Sequence, residues 1–363
     1  GFLPQVTISG QATYQSDVTK VPVSLPGFTI ESASKDQYKL LADVNQLIYD
    51  GGITREQKLY QQLNASVEEQ KVEVELYKLK ERINQVYLGI LYLDEQLKQV
   101  GLVKSDINTG IKRIEAQVAN GVAFRSSLNM LKAELLKTDQ RSIELQSSRK
   151  GFVDVLSLFT GQPLTADVQL EKPLLPAAPI TTEIARPELK LYSEQSKLIS
   201  QQDKLITAKN LPKASFFLQG GYGRPGLNQL KNEFDFYYIG GLRLNWSLGG
   251  LYTKKKEKEL TAVNKQIVEV QKETFLLNTN TQLKQQAAEI EKLEKLITTD
   301  SEIISLRVSV KDAAKAQLEN GVITANDYLK EINAEDQARQ SLITHQLQLL
   351  QAQINYNTIS GKQ

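Results

Sequence analysis

Ala119-Asn120-Gly121-Val122 and Glu319-Asn320-Gly321-Val322 stand about 200 positions apart, and this pair decides how the rest of the chain is read. The same offset carries Tyr38 to Tyr238, Asn45 to Asn245, and Phe159-Thr160-Gly161-Gln162 to Ile359-Ser360-Gly361-Lys362. Phe2-Leu3-Pro4 through Tyr14 matches Asn210-Leu211-Pro212 through Tyr222, displaced further because the first copy has the longer loop. A repeat of this length is far longer than a solenoid turn. It reads as a duplicated half-protein, mainly α with some β.

Working outward, the residues from Gln5 to Tyr14 alternate strictly: Val6, Ile8, Gly10, Ala12 and Tyr14 against Gln5, Thr7, Ser9, Gln11 and Thr13. Alternation of this kind is a strand with one apolar and one polar face. Its partner runs from Tyr38 to Ile48, and the second copy repeats both strands, which gives two hairpins. Tyr14, Tyr38, Tyr222 and Tyr238 fall at the loop ends of these strands and Trp246 near an opposite end, the placing expected of an aromatic girdle at two membrane interfaces. Four strands cannot close a barrel, so a membrane reading requires several chains to share one. Gly221-Tyr222-Gly223-Arg224-Pro225-Gly226 matches the glycine fingerprint of dinucleotide sites. Pro225 and the return to a strand argue instead for a hairpin loop.

After Gly51-Gly52 the period changes. Val72, Leu76, Leu79, Ile83, Val86, Ile90, Leu93, Leu97 and Val100 follow 3-and-4 spacing, resuming at Ile107, Ile111, Ile114 and Val118. The second copy keeps a seven-residue beat at Leu276, Leu283, Ile290, Ile297 and Ile304, with Val310, Ala313 and Ala314 beyond. Both are seams of the coiled-coil type. A helix from Ile53 to Val118 is about 100 Å long and implies an elongated molecule. The chain turns at Asn120-Gly121 and returns over about 55 Å; a further helix from Pro187 to Lys209 adds about 35 Å. The expected division is a first repeat over 1–161 (strands about 2–14 and 37–48, helical hairpin 53–161, tip near 120), a proline-rich connector over 162–186 with Pro163, Pro173, Pro176 and Pro179, and a second repeat over 187–363 (helix 187–209, strands about 211–222 and 235–248, hairpin 253–360, tip near 320). The helix before the second copy's strands implies an equivalent one upstream of Gly1.

Composition excludes more than it selects. A net charge of +2 with 24% charged residues offers no basic surplus for nucleic acid. Cysteine is absent, which removes disulfides, thiolate metal sites and a cysteine nucleophile. His345 is the single histidine and reads as a surface residue on a polar helix face. No metal, cofactor or catalytic constellation is visible, so the chain does not read as an enzyme. No apolar run is long enough for a transmembrane helix.

In the Leu-Pro strand starts at Leu3-Pro4 and Leu211-Pro212, the breaks at Gly51-Gly52 and Gly249-Gly250, and the two Asn-Gly-Val tips, the chain resembles the TolC-like outer-membrane efflux proteins over essentially its whole length. That resemblance implies a homotrimer in the outer membrane of a Gram-negative bacterium: a twelve-stranded barrel continued by an α-helical tunnel into the periplasm, with the connector at its equator. It implies an exit duct for a tripartite efflux pump or a type I secretion system, without cofactors. The partners it implies are a periplasmic adaptor, an inner-membrane transporter and outer-membrane lipid. It further implies adaptor docking at Asn120, Gly121, Val122, Asn320, Gly321 and Val322, and a tip that opens by helix rearrangement. The family's constriction aspartate falls on Asp327; the second falls on Lys330, and the first-repeat position on Ser127. Asp327 also reads simply as a first-turn residue favoured by the helix dipole. Two rivals remain, a structural coiled-coil trimer that is soluble without detergent and a periplasmic adaptor, which would show one hairpin flanked by small β-domains.

Overall fold

The structure, a computed structural model, describes residues 3–19, 34–173 and 183–362. The elements run β1 (Gln5–Tyr14), β2 (Asp36–Tyr49), α1 (Ile53–Ala119), α2 (Arg125–Thr160), α3 (Pro187–Lys209), β3 (Lys213–Arg224), β4 (Asp235–Asn245), α4 (Gly250–Glu319) and α5 (Ala325–Ser360). Most of the first copy's long loop, Pro176 and Pro179 of the connector, and the upstream helix expected before Gly1 lie outside the described residues. The chain forms two compact units that cut across its sequence halves: Gly1–Glu69 with Tyr192–Gln271, and Gln70–Leu191 with Lys272–Gln363. Each unit takes a part of both copies.

In the first unit the strands make one antiparallel sheet in the order β1-β2-β3-β4. The sequence pattern yields two hairpins; the structure joins them through a β2–β3 ladder in which Val44 faces Leu218 and Leu40 faces Tyr222. The two hairpins share their register, since Gln5 pairs with Asn45 as Lys213 pairs with Asn245. β4 ends at Asn245 and does not continue to Leu248. The Leu251 N–H already donates to the Leu248 carbonyl at 3.1 Å, and the Trp246 Nε1–H donates to the Asn210 carbonyl at 3.1 Å. Gly51 and Gly52 turn β2 into α1 with φ of 74° and 84°. A Cβ on Gly51 would lie 2.9 Å from the Ala208 carbonyl, so the turn needs glycine for space as well as for conformation. The Asp50 carboxylate then caps α1, accepting from the Gly52 and Thr54 N–H groups at 2.8 Å each.

The second unit holds the helical hairpins. Where a heptad seam predicts one buried stripe, α1 buries two. Ile90 packs with Val153 and Leu156 of α2, whereas Leu88 and Leu91 pack with Leu350 of α5. The seam is also uneven, because Val72 and Leu76 are exposed while Ile90, Val100, Ile107 and Ile114 are buried. In the part of α4 within this unit the buried apolar residues are Leu283, Leu293, Ala314 and Leu318, with Thr279 and Asp300 also buried, and Val310 is exposed. Side chains as fully enclosed as Ile90 and Leu131 contribute about 1.5–3 kcal/mol each. The described start of the connector is pinned from α2: Arg149 is ion-paired to Asp94 and donates to the Ala166 and Val168 carbonyls. Its far end is fixed where the Ala185 N–H donates to the Ser360 carbonyl at 2.7 Å, with the Arg186 guanidinium 4.8 Å from the Tyr77 ring centroid.

Candidate functional site

Both long helices end in the same turn. Gly121 and Gly321 each have φ of 71°, the left-handed conformation that closes a helix at low cost only for glycine. In the first turn the Val122 N–H donates to the Gln117 carbonyl and the Gly121 N–H to the Val118 carbonyl. In the second, Val322 and Gly321 donate to Gln317 and Leu318 in the same pattern. Asn120 and Asn320 each return a side-chain N–H to the residue 116 or 316 carbonyl at 2.9 Å. Val122 and Val322 are each 71% exposed, and among the described residues nothing lies within 4 Å of a Cβ built on either glycine. Both tips therefore present an open glycine backbone beside an exposed valine.

The returning helices begin differently. Thr324 and Asp327 form a capping box: the Asp327 N–H donates to Thr324 Oγ1 at 3.2 Å, and the Thr324 N–H donates back to the Asp327 carboxylate at 3.3 Å. At the matching positions Phe124 and Ser127 make no side-chain cap, and Phe124 is 82% exposed. Of the residues proposed for a constriction, Asp327 is thus committed to the cap and lies 3.4 Å from the Lys330 ammonium. Its carboxyl is held below the ordinary aspartate range, first by the hydrogen bond with the Thr324 hydroxyl, then by the bond from the Thr324 backbone. Ser127 lies in the first turn of α2, its N–H donating to the Phe124 carbonyl at 3.1 Å.

Behind the turns lies a core from all four long helices, with Ile107, Ile111 and Ile114 of α1, Leu131 of α2, Leu318 of α4, and Tyr328 and Ile332 of α5. Tyr328 is 1% exposed, and its hydroxyl finds no hydrogen-bond partner among the described residues. Burial pushes that phenol up to about 12. Its ring fits because residue 110 is glycine, where a Cβ would lie 3.1 Å from Tyr328 Cε1. Further from the tip, Lys311 of α4 bridges Asp106 of α1 at 2.8 Å and Glu335 of α5 at 2.7 Å, and Arg339 also binds Glu335. The adjacent Asp336 takes Arg141 of α2 at 2.9 Å and Gln99 of α1 at 3.0 Å. Two neighbouring carboxylates on α5 thereby tie together all four helices. None of this network was legible from periodicity. One signal was present: Lys311 and Glu335 stand where the first copy has Ile111 and Leu135.

His345 is not the surface residue its sequence surroundings imply. It is half-buried, with Nδ1 2.5 Å from the Oδ2 of Asp300, an aspartate that α4 buries against it. The glycine fingerprint also lies elsewhere than in a hairpin loop. Gly221 and Gly223 are inside β3, where a Cβ would meet the Tyr237 ring at 2.4 Å and the Tyr38 carbonyl at 2.6 Å. Glycine makes room for the Tyr237 ring lying over residue 221 and for the close backbone of β2 beside residue 223.

The sheet is apolar on its exposed face. Pairing places Val6, Ile8, Leu40, Val44, Leu218, Tyr222, Phe236, Tyr238, Leu242 and Leu244 on one side. Most of these are well exposed, whereas Ser215, Gly221 and Gly223 on the opposite side of β3 are buried. Tyr14, Tyr38, Tyr222 and Tyr238 share the apolar face near the loop end, and Trp246 lies at the helix end. Phe234 and Phe236, unforeseen from alternation, join them, with ring centroids 5.5 and 4.4 Å from Tyr222. Among the described residues no helix is long and apolar enough to cross a membrane.

No family model and no curated protein matches the sequence. Solved structures do match its fold. The outer membrane protein VceC from Vibrio cholerae aligns with a TM-score of 0.75 at 15% identity, over 100% of this chain and 87% of its own. The Campylobacter jejuni CmeC outer membrane channel aligns at 0.70 and 13%, over 99% and 78%. The open state of the Neisseria gonorrhoeae MtrE outer membrane channel aligns at 0.70 and 15%, over 99% and 81%. The chain has the fold of the TolC-like outer membrane channels, the family its sequence resembles.

Proposed function

We propose that this chain is the outer-membrane exit duct of a tripartite efflux pump or type I secretion system and works as a homotrimer. The observation that carries the proposal is the inverted sheet. A sheet with one strongly apolar, exposed face and a largely polar opposite face, sheltered along β3, suits lipid outside and water inside. Its outer strands, β1 and β4, pair with no further strand among the described residues, and a lipid-embedded sheet tolerates no open edge. Three copies placed β4 to β1 make a closed barrel of twelve strands. The tyrosines and Trp246 then lie at the two interfaces as girdles. The Asn-Gly-Val tips, open at their glycines, are docking points for a periplasmic adaptor that links the duct to an inner-membrane transporter. Asp327, Lys330 and Ser127 line the constriction, which opens as the helices rearrange. Passage is passive and needs no catalysis by this chain.

Native mass spectrometry of the full-length protein from separated membrane fractions, followed by planar-bilayer recording, tests this reading. The expected result is a detergent-dependent trimer in the outer-membrane fraction that conducts ions. A species soluble without detergent, or a trimer that never inserts, would overturn it.

A further inference from the structure

The passage from β4 into α4 breaks a local rule. Its counterpart from β2 into α1 is capped by Asp50 and has Glu56 in the first helical turn, as the helix dipole favours. α4 has no acidic residue in its first turn, and Lys254, Lys255 and Lys256 follow in the next. Lys254 and Lys255 have no ion-pair or hydrogen-bond partner among the described residues; Lys256 reaches only the exposed Glu259 at 2.8 Å. The residues just before them are exposed apolar groups. Trp246 and Leu248 follow directly on β4 beyond the column of Leu242 and Leu244, both exposed, and Tyr252 is 86% exposed. The junction is nonetheless fixed, through the Trp246 bond to Asn210 and the Tyr252 N–H donating to the Gly249 carbonyl at 3.2 Å.

We propose that residues 246–256 form a headgroup-binding belt for anionic glycerophospholipid in the leaflet on the helix side of the barrel. The apolar residues continue the lipid-facing surface, Trp246 and Tyr252 occupy headgroup depth, and the lysine run, spread over roughly 200° of the helix surface, brings positive charge to the phosphates directly below. Apolar contact fixes the depth and the lysines supply the preference for negative charge. The corresponding stretch after β2 carries Arg55 beside Glu56 and no lysine run, so the belt belongs to one junction of each chain. The inference rests on the barrel reading above.

Trp246 is the only tryptophan in the chain and serves as a local probe. The full chain is placed in bilayers of phosphatidylcholine mixed with phosphatidylglycerol, one lipid at a time carrying bromine on its acyl chains to quench nearby indole. Quenching by the brominated anionic lipid should exceed that by the zwitterionic one. The selectivity should correspond to as much as about fivefold per lysine at low salt. It should disappear in Lys254→Gln/Lys255→Gln/Lys256→Gln, and in wild type at about 1 M salt, where the Debye length is only about 3 Å. The salt series needs no variant, so a folding failure of the triple substitution leaves the test intact. Equal quenching by both lipids, or selectivity that survives salt, overturns the belt while leaving the barrel standing. No quenching by either lipid overturns both.

Discussion

At position 111 the chain buries an isoleucine, and 200 positions later, on the matching helix, it half-buries a lysine; a half-buried Leu135 likewise gives way to a fully buried Glu335. The two tips share one apolar core, but the first has an uncapped return helix and α1–α2 ion pairs between half-buried or exposed groups, Lys104 with Asp139 and Lys132 with Glu115. The second adds the buried carboxylate Glu335, whose ion-pair network reaches into the first hairpin, an orphaned phenol and a capping box. Identical turns at Gly121 and Gly321 end two hairpins with different internal chemistry. Apolar packing tolerates small slides, whereas a hydrogen-bonded charge pair has few acceptable arrangements. The second hairpin is accordingly the one whose position is most sharply defined, and the one whose displacement would cost most.

The largest effect should come from Glu335, which is 4% exposed. Glu335→Ala leaves Lys311 with only Asp106 and should cost about 3–5 kcal/mol, read by hydrogen exchange of α4 and α5 amides near the tip. Lys311→Ile/Glu335→Leu, which copies the first tip into the second, should recover most of that loss. If the single substitution is silent, the network does not hold the tip. Burial opposes the ionised form of both groups. For Glu335 the hydrogen bonds with Lys311 and Arg339 outweigh it and lower the pKa; for Lys311 those with Asp106 and Glu335 outweigh it and raise the pKa. A lowered carboxylate contributes above its unfolded value and loses that contribution as pH falls through the folded one. A raised lysine contributes below its unfolded value and loses it as pH rises through the folded one. The pair should therefore hold unchanged between the glutamate value of 4.5 and the lysine value of 10.5, loosening only outside that window.

An intermediate effect is expected where Tyr328 meets Gly110. An unpaired buried hydroxyl costs about 1–3 kcal/mol, so Tyr328→Phe should stabilise the second tip and slow exchange there. Gly110→Ala gains about 1 kcal/mol of helix propensity but presses a Cβ on a ring with no room to move, an overpacking that costs about 1–3 kcal/mol. The net should be a loss in wild type and a gain in Tyr328→Leu, the residue of the first copy at 128. Destabilisation by Tyr328→Phe would mean that the hydroxyl has a partner and that the tips differ less than the geometry implies.

Strand alternation, the helix limits at Pro187 and Gly161, and both glycine turns were legible in the sequence because each depends on residues within one or two turns of one another. Three features were not. The β2–β3 ladder joins residues nearly 180 positions apart, such as Val44 and Leu218, and leaves no local pattern. The second stripe of α1 was hidden because Leu88 and Leu91 fall outside the heptad that Ile83, Val86 and Ile90 define. His345 was misplaced because its partner Asp300 lies on another helix. At the candidate site the turns could be read to the residue, while the role of Asp327 as a cap was half visible: Thr324 and Asp327 have capping-box spacing, though with aspartate in the place usually taken by glutamate or glutamine.

That cap supplies the smallest and most specific test of the difference between the tips. Thr324→Ala removes the hydroxyl that accepts from the Asp327 N–H and donates to its carboxylate, leaving only the bond from the backbone of residue 324, and should cost the start of α5 about 1 kcal/mol. Phe124→Thr/Ser127→Asp installs the same box on α2 and should stabilise it by a similar amount, because both N-cap residues already share the extended backbone, with φ of −80° and −82°. Hydrogen exchange in the first turns of α2 and α5 of one molecule reads both changes, with each tip as the control for the other. If installing the box leaves α2 unchanged, the cap is not what distinguishes the two ends, and the buried charges of α4 and α5 carry the whole difference. If α2 becomes as protected as α5, Phe124 occupies a position where a better cap was available, and its exposed ring is then the feature of the first tip that requires a partner.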